Sequence, residues 1–235
     1  MPGDLPRLRR GPDPDRPGPD QAILDDEMRG ALLRLRDRWP VAVVSGRDLQ
    51  DVRGRVGVDG VAYAGSHGFE IVTPGGRQEL KGEDYLPDLD AAEGKLREAL
   101  PGGARLERKR AAIAVHVRGM EADEIPGVER VVDEVAARHT RLRVTGGKRI
   151  FELRPDLDWD KGRALRWFLE VLGLTDAVPV YVGDDLTDED AFQEIREDGL
   201  GVVVRGEHDE RPTLAHAALD GPDEVRGFLE ALADL

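Results

Sequence analysis

The sequence predicts a doubly wound α/β core interrupted by a smaller inserted α+β module. Two observations carry this reading. Short apolar strands alternate with amphipathic helices over residues 23–68 and again from Asp160 to the C-terminus, the rhythm of parallel strands joined by helical crossovers. Between these stretches the rhythm gives way to two hairpin signals and two helices, which suits an antiparallel module better than a continued parallel repeat.

The elements follow in order. Residues 1–22 are dominated by Pro, Gly, Arg and Asp, show neither helical nor strand periodicity, and read as irregular. Met28, Leu32, Leu33 and Leu35 then mark an amphipathic helix ending near Trp39-Pro40. Val41–Val44 is a buried strand, Ser45-Gly46-Arg47 its exit, and a helix runs through Val56. Val61–Ala64 is the next strand, leading into Gly65-Ser66-His67-Gly68. Phe69–Val72 and Arg77–Leu80 flank a Pro74-Gly75-Gly76 turn. A helix over Leu89–Leu100, strands over Arg105–Lys109 and Ala112–Arg118, a helix over Val128–Arg138, and a hairpin of Leu142–Thr145 with Arg149–Leu153 about Gly146-Gly147 complete the insert. The parallel rhythm returns with a helix from Asp160 to Leu172, a strand at Val178–Val182, a helix after Glu189, a strand at Leu200–Val204 and a last helix from about Pro222. The expected division is core over 1–74, insert over 75–154 and core again over 155–235.

The net charge of −14 argues against nucleic acid or an anionic membrane as partner, while a metal and a few local cations could still reverse the sign at a site. The chain has no cysteine, which excludes disulfides and thiol catalysis. No apolar run approaches the ~18 residues that span a bilayer, and no secretory h-region opens the chain, so a cytoplasmic monomer is expected. Of 34 basic residues only Lys81, Lys95, Lys109, Lys148 and Lys161 are lysines. Where Arg is the default cation, a Lys points to a place that needs a compact point charge.

The densest chemistry lies at Gly183–Asp190, where five carboxylates fall within seven residues just past an apolar strand. Such crowding is repulsive unless a cation neutralises it, and open α/β sheets bind ligands at this edge. Asp184, Asp185 and Asp188 are therefore candidate Mg2+ ligands; capping of the following helix is the plain alternative. Ser45 and Lys161 occupy corresponding strand-end and helix-start positions. A hydroxyl, a lysine and an acidic metal loop together suit phosphoryl transfer, in which the protein positions the phosphoryl group and balances its charge.

Val43-Val-Ser-Gly-Arg-Asp48, Ala64-Gly-Ser-His-Gly-Phe-Glu70, Glu107-Arg-Lys109 with His116-Val-Arg118, Glu152-Leu-Arg-Pro155, Lys161-Gly162 and the acidic run occur in that order. From about Asp25 onward the chain resembles the haloacid-dehalogenase-type phosphatases, and within them the trehalose-6-phosphate phosphatase family. The resemblance implies a Rossmann-like haloacid-dehalogenase core with an inserted α+β cap, and hydrolysis of trehalose 6-phosphate through an aspartyl-phosphate. It implies that Ser45 and Lys161 hold the transferring phosphoryl group and that Asp184, with Asp185 and Asp188, ligates magnesium. It also places Arg47, His67, Glu107, Lys109, Lys148 and Glu152 about the sugar phosphate. For Glu107 and Glu152 the alternative is an ion pair within the cap, and for His116, alternating with Val115 and Val117, a structural place on a strand.

One part of the pattern is missing. The family's nucleophile sits in an Asp-x-Asp-Gly context on the first core strand, ahead of the first helix, and residues 1–22 contain neither that motif nor an apolar strand. Leu8–Gly18 can be back-translated so that a shifted frame reads Asp-Tyr-Asp-Gly-Ala-Leu, or Val-Leu with another degenerate choice; the nucleotide sequence decides whether it does. The chain as written is expected to be nearly inactive. A sugar-phosphate-binding or regulatory protein without turnover, and a capped phosphatase for another sugar phosphate, are the competing readings.

Overall fold

A computed structural model describes residues 23–235 apart from 148, 207 and 208. The N-terminal irregular segment, the frame-shift reading of residues 8–18 and Lys148 fall outside the described residues.

The core opens with α1 (Asp26–Arg38), capped by the Asp25 carboxylate, which accepts from the Met28 N–H. Asp26 and Glu27 in its first turn and Arg36 and Arg38 in its last complement the helix dipole. Strand β1 (Ala42–Val44) follows, then α2 (Leu49–Val56), capped by Asp48 and closed by Gly57 in the left-handed conformation. Strand β2 (Ala62–Gly65) lies parallel to β1, whereas β3 (Glu70–Val72) and β4 (Gln78–Leu80) pair antiparallel beyond it, in the order β1-β2-β3-β4. After the insert, α5 (Lys161–Val171) leads to β9 (Val180–Gly183), α6 (Glu189–Glu194), β10 (Leu200–Arg205), β11 (Ala217–Asp220) and α7 (Gly221–Ala233). Strands β9, β10 and β11 form a parallel sheet in the order β11-β10-β9. Among the described residues β1 and β9 each carry a strand on one side only. Val44 of β1 nonetheless packs against the clusters around Phe192 and around Phe168, so both half-sheets share the apolar support of α5.

The insert comprises α3 (Leu86–Ala99), β5 (Arg105–Arg108), β6 (Ile113–His116), α4 (Ile125–Arg138), β7 (Leu142–Gly147) and β8 (Ile150–Pro155). Its antiparallel sheet runs β5-β6-β8-β7. The helices cover one face, where Leu89, Leu96, Ile113, Val115, Val128, Val132 and Leu153 are sealed from water; each such side chain stabilises by about 1.5–3 kcal/mol. The opposite face turns toward the core. The two crossings between core and insert run side by side: a Cβ on Gly82, at φ 70°, would lie 3.3 Å from the Pro155 ring.

Three local expectations change. The hairpin about Pro74–Gly76 forms, but its second strand completes the core sheet through β3, so hydrogen bonding assigns residues 78–80 to the core rather than to the insert. Gly146 and Gly147 lie within β7 instead of forming its turn, because Gly147 is paired with Ile150 and the chain turns at Arg149, φ 65°. Strand β11, with three of its four residues exposed, gives no periodic signal; β10 recruits it as a parallel edge.

Candidate active site

Three loops meet at the carboxyl ends of β1, β2 and β9. The Ser45-Gly46-Arg47 and Gly65–Gly68 loops are laced together by backbone bonds, His67 N–H to Ser45 C=O at 2.8 Å and Ser66 N–H to Arg47 C=O at 2.6 Å. Ser45 Oγ accepts from the Arg47 N–H at 3.2 Å, which leaves its hydroxyl proton for another acceptor. The Arg47 guanidinium pairs with Asp51 at 2.8 Å, one helical turn along α2. Ser66 and His67 both hold positive φ, 50° and 59°, a sparsely populated region for residues with a Cβ. The buried Ser66 hydroxyl donates to Glu70 at 2.7 Å and supports the turn. Gly46 lets the His67 ring approach, since a Cβ at that position would lie 2.7 Å from it and would displace the ring.

From the insert, β8 delivers Glu152 and the end of β5 delivers Lys109. Lys109 Nζ donates to Glu152 Oε1 at 2.8 Å and to the Gly46 carbonyl of the core at 3.2 Å, and His67 Nε2 lies 3.4 Å from Glu152 Oε2. Burial pushes the Glu152 carboxyl up, but His67 and Lys109 outweigh it and hold it at about 2. The structure thus joins His67, Lys109 and Glu152 across the core–insert boundary. Glu107 is not brought into this cluster; it bonds the His116 ring at 2.7 Å and lies 3.6 Å from Arg105, the within-cap pairing weighed as its alternative.

Lys161 begins α5, where a cation opposes the helix dipole. It is 5% exposed, and its Nζ donates to Asp188 Oδ1 at 2.7 Å. The same oxygen accepts from the Tyr181 hydroxyl at 2.7 Å, and Oδ2 accepts from the Asp185 N–H at 2.8 Å. Burial, then the Asp188 charge, push the Tyr181 phenol far up, so it stays a donor. Asp185, expected to stand ahead of the helix with no capping role, caps the Leu186–Asp188 turn that leads into it, accepting from Leu186 N–H and Thr187 Oγ1. Asp184 differs. Burial, then the charges of Asp188 and Asp185, raise its carboxyl above the usual range, and no side chain donates to it among the described residues. A carboxylate crowded by like charges, with no described side chain donating to it, is a fit for a divalent cation; Asp184 would hold it, with Asp185 beside it. No set of three His, Asp or Glu side chains stands ready as a cage among the described residues. Tyr181 escaped the sequence reading because a Tyr in an apolar strand reads as core; its position seven residues before Asp188 was the available signal.

Core, insert and strand-end loops define a capped α/β protein of the haloacid-dehalogenase type, built around a lysine–aspartate pair. A family model described as trehalose-phosphatase matches residues 14–223, and the chain belongs to that family. The trehalose-phosphate phosphatase of Mycolicibacterium paratuberculosis is 48% identical over 215 residues, 87% of this chain and 55% of the relative. The chain therefore spans about half the length of the curated relatives it matches. The crystal structure of a trehalose-6-phosphate phosphatase related protein superposes with a TM-score of 0.76 at 25% identity, covering 92% of this chain and 90% of that one. The C-terminal domain of the Candida albicans trehalose-6-phosphate phosphatase shares the fold, with a TM-score of 0.74 at 22% identity over 93% and 87% of the two chains. Among the described residues no helix is long and apolar enough to cross a membrane.

Proposed function

We propose that this site serves the hydrolysis of trehalose 6-phosphate to trehalose and phosphate. The observation that carries the reading is the Lys109–Glu152–His67 cluster, in which the insert closes over the strand-end loop of Ser45. Glu152, ionised at any physiological pH, accepts sugar hydroxyl protons, and Lys109 donates to sugar oxygens. His67 and Arg47 line the boundary, while Glu107 stays paired with His116 inside the insert. Ser45 donates its free hydroxyl proton to a phosphoryl oxygen, and Lys161, held by Asp188, balances the phosphoryl charge. Asp184, with Asp185 and Asp188 in support, would hold magnesium, which would supply charge neutralisation at the phosphoryl oxygens. Closure of the insert keeps bulk water from the reacting group. A cytoplasmic monomer acting on a small sugar phosphate fits this reading.

The covalent step needs a carboxylate nucleophile, and no Asp-x-Asp-Gly occurs anywhere in the 235 residues. The chain as written therefore binds the sugar phosphate without turning it over. Calorimetry with trehalose 6-phosphate, glucose 6-phosphate and sucrose 6-phosphate is expected to show the first binding tightest, and a phosphate-release assay with magnesium to show turnover near background. Equal affinity for all three esters defeats the substrate assignment, and robust phosphate release defeats the assignment of inactivity.

A further inference from the structure

We propose that Arg143 and Arg154 form an oxyanion-binding subsite on the core-facing surface of the insert, separate from the phosphoryl site at Lys161. The two residues are directly opposite in the antiparallel β7/β8 pair, so their side chains leave the sheet together, with Cβ atoms about 5 Å apart. Their strand neighbours Leu142, Val144 and Leu153 point into the insert's apolar cluster. Alternation therefore turns Arg143, Thr145, Glu152 and Arg154 the other way, onto the face that brings Glu152 to His67.

Neither guanidinium has a hydrogen bond or ion pair among the described residues, and the Nε of each is sealed from solvent. Arg108, Arg141 and Arg166, by contrast, each engage one or more carboxylates. Burial, then the charge of Arg143, hold Arg154 below the usual guanidinium range. Glu152, Asp190 and Asp160 act on it from longer range. Glu152 is engaged by Lys109 and His67, and Asp160 caps α5 through the Arg163 N–H. Asp190 is the one rival partner: burial, then Asp160, raise its carboxyl, and Arg154 pulls it down.

Two like charges facing each other across a ladder are destabilising unless a counter-charge lies between them. A tetrahedral oxyanion presents two oxygen edges to two planar forks and satisfies both at once. The ligand class is a phosphate-sized dianion, free or carried on a sugar.

Thermal unfolding at low ionic strength, titrated with inorganic phosphate, tests the site. The wild-type melting temperature is expected to rise with phosphate, and Arg143→Met and Arg154→Met each to weaken that response at least tenfold in concentration. Without phosphate both variants are expected to melt at or above wild type, since one unpaired charge is gone. Lys161→Met is expected to keep the arginine-dependent response. A parallel titration with glucose 6-phosphate assigns the subsite to a phosphorylated sugar where the ester acts at lower concentration, and to the free ion where phosphate does. Unchanged phosphate responses in both arginine variants overturn the proposal. So does a phosphate-free result in which Arg154→Met and Asp190→Asn melt equally below wild type, which makes Asp190 the partner.

Discussion

Glu152 and Asp184 show two carboxylates driven in opposite directions by what surrounds them. Glu152 is held at about 2, below its unfolded value, by His67 and Lys109 against its burial. Its contribution is complete above about pH 4.5 and is lost as pH falls toward 2, a difference of about 3 kcal/mol. Glu152→Gln is expected to lower stability at neutral pH by about 3 kcal/mol, because it strands a buried Lys109, and to flatten the pH profile between those limits. Urea unfolding at a series of pH values reads both. Asp184 is raised by burial and by Asp188 and Asp185, so its charge costs stability at neutral pH. Asp184→Asn is expected to melt above wild type without metal and to lose the upward shift that magnesium gives the wild type. A magnesium shift that persists in this variant removes Asp184 from the ligand set. At this scale the sequence displayed much of the site. Lys161 and Asp188 stood out because the chain seldom uses lysine and crowds acids after one strand. Arg143 and Tyr181 did not, since an arginine in an arginine-rich chain and a tyrosine in a strand look ordinary until pairing shows what they face, and Arg154 was visible only as part of the Glu152–Pro155 motif.

Among the elements, glycines set how closely the loops approach. A Cβ on Gly183 would lie 2.4 Å from Asp188 Cγ, so the carboxylate that holds Lys161 rests directly on the end of β9. Gly183→Ala is expected to displace Asp188 and cost about 1–3 kcal/mol, as overpacking does, measured by denaturant unfolding. A cost of a few tenths would mean that the loop yields freely. The order of helices and strands was legible from periodicity because each buries one face. The boundary of the insert was not: β4 alternates as any edge strand does, and only its partner β3 assigns it to the core. Strand β11 was invisible for a related reason, an exposed edge whose membership depends on β10 rather than on its own residues.

Across the whole molecule, the described core consists of two half-sheets whose facing edges, β1 and β9, are unpaired among the described residues. Val180 within β9 is 40% exposed and Val178 just before it 72% exposed, unusual for the middle of a doubly wound fold. Exposed parallel edges with apolar side chains recruit other strands. Val180→Lys is expected to lower the melting temperature by no more than a few degrees if the edge of β9 is open to solvent, as its exposure indicates. A larger fall would show that this edge is covered.

Lys109 connects these scales. Its ammonium holds a carboxylate of the insert and a carbonyl of the core at the same time. A sugar that takes hydrogen bonds from Lys109 must loosen one of those holds, so arrival of the ligand and release of the insert become a single event. Part of the intrinsic binding free energy is then absorbed in freeing the insert, and the measured affinity understates the quality of the contacts. Removing the tether while keeping Glu152 would uncouple recognition from movement.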